Sequence, residues 1–127
     1  RRLEEETKQN TGMTFVFAVN YGSRDEIVRA VRKYTIEAIR AGKSEEEIEA
    51  LTEQAFAGYL DTAGMPDPDL IIRTSGEFRI SNYLLWQSAY AEYYITPVLW
   101  PDFTKEELLK AIDSFNSRER RFGGRKK

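Results

Sequence analysis

The sequence predicts an α/β fold, with a mainly parallel sheet flanked by helices. Two apolar runs, Thr14 to Asn20 and Leu70 to Ile72, lack the alternation of a half-solvated strand and read as strands covered on both faces. Amphipathic segments with recognisable helix starts lie between and after them, and strands alternating with helices pair in parallel through crossovers. No internal repeat or low-complexity linker interrupts the chain, so its 127 residues read as a single domain.

The first strand is β-prone throughout, with Phe15, Val16, Phe17 and Val19. Ser23 followed by Glu26 has the form of a capping box. Beyond it Ile27, Val31, Tyr34 and Ala38, with Val28, Thr35 and Ile39 beside them, give the inward face of a helix that stops before Gly42. A second box, Ser44 with Glu47, opens a helix with Ile48, Leu51, Ala55, Phe56 and Tyr59 inward, stopped by Gly64. Pro66-Asp67-Pro68 enforces an extended connection, because the residue before each proline is pushed out of the helical region. It leads into the second strand, Leu70 to Ile72, which Arg73 closes. After a turn at Gly76 the pattern predicts a helix from about Ser81 to Ala91, a short strand around Tyr93 to Ile95 and a turn at Pro97. Thr104 with Glu107 caps the last helix, with Leu108, Ile112 and Phe115 inward and Glu106 paired to Lys110 outward. So small a sheet leaves an open edge, and self-association or poor solubility is expected of it.

Composition excludes several classes of function. With 19 basic and 21 acidic residues the formal net charge is -2, which argues against nucleic-acid binding through bulk positive charge. Anion binding must then be local. There is no cysteine for a disulfide or thiolate site, and no histidine for imidazole ligation, a Ser-His pair or an imidazole base. No stretch approaches the roughly 20 apolar residues that cross a bilayer, and the expected location is the cytoplasm.

Local anion chemistry is concentrated between Asp69 and Glu92. Arg73 stands at the C-terminal end of a predicted parallel strand, where open α/β sheets place ligands, and Arg79 and Ser81 follow at the predicted helix start. Guanidinium forks match phosphate oxygens bidentately, and helix N-terminal amides add donors. A plainer alternative pairs Arg73 with Glu77; in the anion reading Glu77 orients the arginines and Gly76 supplies the turn's backbone freedom. Tyr83, Trp86, Tyr90, Tyr93, Tyr94 and Trp100 form an aromatic block that suits either a core or a subunit interface. Asn20-Tyr21-Gly22 reads as a turn and is assigned no role.

Three stretches, TFVFAVNYGSRDEIV (14–28), DLIIRTSGEFRISNYLLWQSAYAEYYITPVLWPDF (69–103) and SRERRFGG (117–124), resemble the cis-prenyltransferases, and within them the bacterial undecaprenyl diphosphate synthases or isoprenyl transferases. The family's Asp-Gly-Asn-Gly-Arg pattern, with its metal-binding aspartate, is absent, so the chain is read as the C-terminal half of such a domain, with a flexible basic tail from about 118 to 127. The resemblance implies that Arg73, Arg79 and Ser81, with Ile80 between them, hold the diphosphate of isopentenyl diphosphate. It implies that Glu92 binds Mg²⁺ and that Arg121 and Gly123 close over the partner subunit's diphosphate in a homodimer. An unbroken helix from Ser81 to Glu92 would rise about 16 Å, too far for one ion to touch both ends: either the helix ends early, or Glu92 binds a different ion, or it serves the partner's site, the option that the aromatic residues nearby favour.

The implied reaction condenses isopentenyl diphosphate with an allylic diphosphate such as farnesyl diphosphate, giving a long-chain polyprenyl diphosphate, the precursor of a cell-wall lipid carrier. The allylic diphosphate leaves with the help of Mg²⁺, the isopentenyl double bond attacks the cationic carbon, and proton loss fixes a Z double bond. Membrane contact is expected only at the periphery, through the lipid product. The alternative is a non-catalytic partner subunit of such an enzyme.

Overall fold

The computed structural model describes residues 2–119. In chain order the elements are α1 (Arg2–Thr7), α2 (Ser23–Ala41), α3 (Glu45–Glu49), α4 (Glu53–Ala57), β1 (Leu70–Arg73), β2 (Glu92–Ile95), a short 3-10 turn (Trp100–Asp102) and α5 (Lys105–Asn116). β1 and β2 pair in parallel, with Leu70 opposite Glu92 and Arg73 opposite Ile95. Helices around a parallel pair is the α/β arrangement expected. The strand expected at Thr14 to Asn20 does not form; its apolar side chains face solvent, Val19 at 83% exposure. β-propensity is a fit to a pleated, half-buried surface, and no neighbouring strand provides that surface here among the described residues.

The start of α2 differs from a capping box in a way that organises the molecule. Gly22 occupies the N-cap position, and Ser23 is already helical and wholly buried. The Ser23 hydroxyl accepts a bond from the Leu85 amide at 2.9 Å. Glu26, 1% exposed, accepts from the Tyr21 hydroxyl at 2.5 Å, the Asp61 amide at 2.9 Å and the Gln87 carboxamide at 3.2 Å. Both polar side chains therefore point into the protein, and the buried stripe of α2 runs Glu26, Ala30, Tyr34, Ala38. Val31, expected on the inward face, and Val28, Thr35 and Ile39, expected beside it, are exposed. The sequence offers two apolar stripes on this helix, and tethering its first turn selects which one is covered.

Ser44 and Glu47 do form the reciprocal box that starts α3. The long helix expected there breaks, because the Thr52 hydroxyl takes the Ala55 amide at 3.1 Å and starts α4 separately. α4 delivers Phe56 to the core, where it packs with Ala30 and Leu60, and its ring lies 4.8 Å from that of Trp86. At the other end of the fold α5 packs on β2, with Ala111 buried, while Leu108 and Ile112, expected inward, are 42% and 38% exposed. Thr104 holds the N-cap position without bonding the helix amides, and Glu107 pairs with Lys110 in place of the expected Glu106.

No regular helix forms from Ser81 to Ala91. Ser81, Asn82 and Leu84 have φ of 51°, 60° and 49°, in the left-handed region that costs non-glycine residues roughly 1–2 kcal/mol each. The hydrogen bonds to α2 override the local helical preference of YLLWQSAYA and hold a compact series of turns instead. Among the described residues no helix is long and apolar enough to cross a membrane.

Two outcomes are expected for this framework. Glu26→Ala removes the acceptor that the Tyr21 hydroxyl, the Asp61 amide and the Gln87 carboxamide share and should lower the unfolding free energy by about 3 kcal/mol in urea titrations, with Glu26→Gln losing less than half as much because an oxygen remains; equal losses would refute the hub role. Arg29 holds Asp61 bidentately at 2.8 and 2.6 Å, and these bonds keep the Asp61 carboxyl below its ordinary value of 3.8. A depressed carboxyl stabilises the fold above that value, and the contribution fades as pH falls through the folded-state pKa. Arg29→Met should therefore flatten the acid side of a plot of Tm against pH, and an unchanged slope below pH ~4 would contradict the pair's contribution.

Candidate functional site

Parallel pairing brings the C-terminal ends of β1 and β2, Arg73 and Ile95, to the same side. The chain leaving β1 turns through Ser75 and Gly76, at φ of 66° and 63°, and is pinned where the Ser75 amide meets the Val98 carbonyl and the Gly76 amide meets the Thr96 carbonyl, at 2.9 and 2.8 Å. Two consecutive left-handed residues fold residues 77–80 back over the strand ends. A cavity of about 500 Å³ opens there.

Arg73, Arg79, Glu77 and Ile80, all named from the sequence, line this cavity together. Its walls are otherwise apolar and aromatic, with Ile71, Tyr83, Tyr93 and Ile95. The Nε of Arg73 is buried and has no hydrogen-bond partner. A buried guanidinium donor left in this state is costly. Glu77 accepts from Arg79 rather than Arg73, so it orients one guanidinium and leaves the other free of it. Tyr83 is braced from behind by the ring of Tyr21 at 5.6 Å, and burial together with the bond to Glu26 pushes the Tyr21 hydroxyl's pKa up.

The expected helix start at Ser81 is corrected. Ser81 is exposed and does not line the cavity, and with no helix starting there, no helix N-terminal amides reach the site. Its electrostatics rest on the two guanidinium groups and on the Glu77 carboxylate paired with Arg79. Glu92 is remote from Arg73: it begins β2, opposite Leu70, while Arg73 ends β1, about 10 Å further along the strands at ~3.3 Å per residue. Its carboxylate is bonded by Arg118 at 2.8 Å. Side chains two apart share a sheet face, so Tyr93 and Ile95 turn toward the cavity and Glu92 away. No group of three or more possible metal-ligating His, Cys, Asp or Glu side chains exists among the described residues. Within one chain the arrangement does not fit a magnesium ion shared by Glu92 and the arginine cavity. Arg121 and Gly123 lie outside the described residues.

Sequence reasoning placed Tyr83 and Tyr93 in an aromatic block without seeing them as cavity walls. The two-residue period of β2, with Tyr93 and Ile95 on the face of Ile71 and Arg73, was the available signal.

Comparison with known proteins places the chain in a family. The family model for putative undecaprenyl diphosphate synthase matches residues 1–123. An isoprenyl transferase of Fusobacterium nucleatum is 58% identical over 123 residues, covering 97% of this chain and 49% of that protein. One from Bacillus thuringiensis is 55% identical over 120 residues, covering 94% of this chain and 45% of that protein. The crystal structure of lavandulyl diphosphate synthase from Lavandula x intermedia, in complex with dimethylallyl diphosphate, superposes with a TM-score of 0.87 at 40% identity, covering 96% of this chain and 51% of that one. The chain thus spans about half the length of the relatives it matches. By sequence and by fold, the chain belongs to the isoprenyl transferase (undecaprenyl diphosphate synthase) family.

Proposed function

We propose that the cavity at the C-terminal ends of β1 and β2 is the isopentenyl diphosphate pocket of an isoprenyl transferase. The observation that carries this reading is the buried, unpartnered Nε of Arg73, in a cavity that Arg79 also lines. The two guanidinium groups take the diphosphate, and Ile71, Ile80 and Tyr93 take the five-carbon chain. Such a pocket contributes placement: it fixes the diphosphate so that the isopentenyl double bond meets its electrophile in one orientation, replacing a bimolecular encounter by an oriented one. Ser81 is kept as a rim residue that reaches the diphosphate only if the turn around it shifts.

The whole protein, in this proposal, condenses isopentenyl diphosphate with an allylic diphosphate such as farnesyl diphosphate into a long-chain polyprenyl diphosphate, as a cytoplasmic homodimer. Exposed Tyr83, Tyr90 and Trp100 favour a subunit contact through the aromatic block. The Mg²⁺ drawn from the resemblance stays part of the proposal. Glu92 is the carboxylate this chain offers it, and reaches it only by leaving Arg118. Arg121 and Gly123 keep their proposed place over the partner's diphosphate.

The test is a calorimetric titration of isopentenyl diphosphate into the wild-type chain and into Arg73→Ala and Arg79→Ala. Each substitution removes charged hydrogen bonds typically worth about 1.5–3 kcal/mol, and affinity should fall by roughly 10- to 100-fold. In a full-length relative carrying the same substitutions, the allylic substrate should be affected far less. Unchanged isopentenyl diphosphate affinity in Arg73→Ala would overturn the assignment.

A further inference from the structure

The chain between Arg79 and Leu85 is held in place by one residue that neither lines the cavity nor was singled out in the sequence. Asn82 sits in the left-handed region at φ 60° and faces the first turn of α2. Its backbone carbonyl accepts the Ser23 amide at 2.8 Å, and its side-chain Oδ1 accepts the Arg24 amide at 2.9 Å. These are two of the amides that every helix leaves unsatisfied at its N-terminus, and α2's own N-cap residue, Gly22, has no side chain to satisfy them. The contact is reciprocal, because the buried Ser23 hydroxyl takes the Leu85 amide at 2.9 Å. It is also tight: a Cβ added at Gly22 would stand 2.9 Å from the Asn82 Nδ2.

We propose that Asn82 is a positioning residue of the diphosphate cradle, a cap supplied to α2 from outside the helix that fastens the Arg79-bearing turn to the rigid start of that helix. The residue type fits the task. Asparagine tolerates left-handed backbone better than other non-glycine residues and carries the acceptor that a helix start prefers. Asn82 stands three residues after Arg79, and Ser81 and Leu84 on either side of it are also left-handed, so the turn depends on this anchor to stay folded. Released from α2, residues 79–85 would regain their freedom and the two guanidinium groups would no longer be fixed relative to each other. The inference rests on the diphosphate reading of the cavity.

The experiment measures inorganic pyrophosphate affinity by calorimetry and Arg24 amide protection by hydrogen exchange, both on the 127-residue chain. Asn82→Gly keeps the left-handed backbone and deletes the carboxamide; it should expose the Arg24 amide and weaken pyrophosphate roughly tenfold. Asn82→Asp keeps the oxygen at a helix N-terminus and should hold affinity within about threefold. Should Asn82→Gly fail to fold, Gly22→Ala tests the same contact from the other side, by displacing the carboxamide, and should give a similar loss. An exposed Arg24 amide with undiminished pyrophosphate affinity reduces Asn82 to a helix cap and overturns the positioning role, while the diphosphate reading stands. An Arg24 amide that stays protected in Asn82→Gly refutes the clamp itself. Absence of pyrophosphate binding in the wild-type chain sinks the diphosphate reading, and the positioning role with it.

Discussion

The structure depends on the polar contact between the first turn of α2 and residues 82–87. Glu26 is a carboxylate almost without solvent, and its oxygens are satisfied by a tyrosine hydroxyl, a backbone amide and a carboxamide rather than by a cation. Burying such a group is tolerable only when every partner is in place, so the contact behaves as a unit. It brings together four stretches distant in sequence: the turn at Tyr21, helix α2, the segment at Asp61 and Thr62, and the turns that follow Arg79. Gln87 links them further, because its carboxamide also donates to the Thr62 hydroxyl at 2.9 Å.

That contact explains how a sheet of only two short strands can support a cavity. β1 and β2 place Arg73 and Ile95 side by side, and the turn at Ser75 and Gly76 sends the chain back over them. Nothing in the strands themselves fixes where Arg79 ends up. The left-handed turns beyond it carry backbone strain, and strain persists only where the surroundings over-determine the conformation. Here the surroundings are the start of α2 on one side and Phe56 against Trp86 on the other. The aromatic block thus divides: Trp86 serves the core, Tyr83 and Tyr93 wall the cavity, and Tyr90 and Trp100 face outward.

Charge follows the same division of labour. The two guanidinium groups at the cavity have different neighbours, since Arg79 is oriented by Glu77 while Arg73 keeps a buried Nε without a partner. At the far end of β2, Arg118 holds Glu92 and so ties the end of α5 to the strand that α5 packs on. Glu92 and Arg73 belong to opposite ends and opposite faces of the same two-stranded sheet, which keeps them apart within one chain.

The sequence by itself determined the α/β class, the positions of β1 and β2, the starts and stops around Ser44 and Gly42, and the nearness of Arg73, Glu77 and Arg79 along the chain. These rest on local chemistry, such as a capping box, a glycine at φ 64° or apolar runs bounded by prolines, which a few neighbouring residues decide. Only the tertiary structure decided the rest. Ser23 and Glu26 look like a cap but are used as buried acceptors, YLLWQSAYA looks helical but is held in turns, and Thr14 to Asn20 looks like a strand but has no strand beside it among the described residues. In each case the deciding partner lies far away in the chain or is lacking, and hydrogen bonds to distant groups outweigh propensities worth a fraction of a kcal/mol per residue.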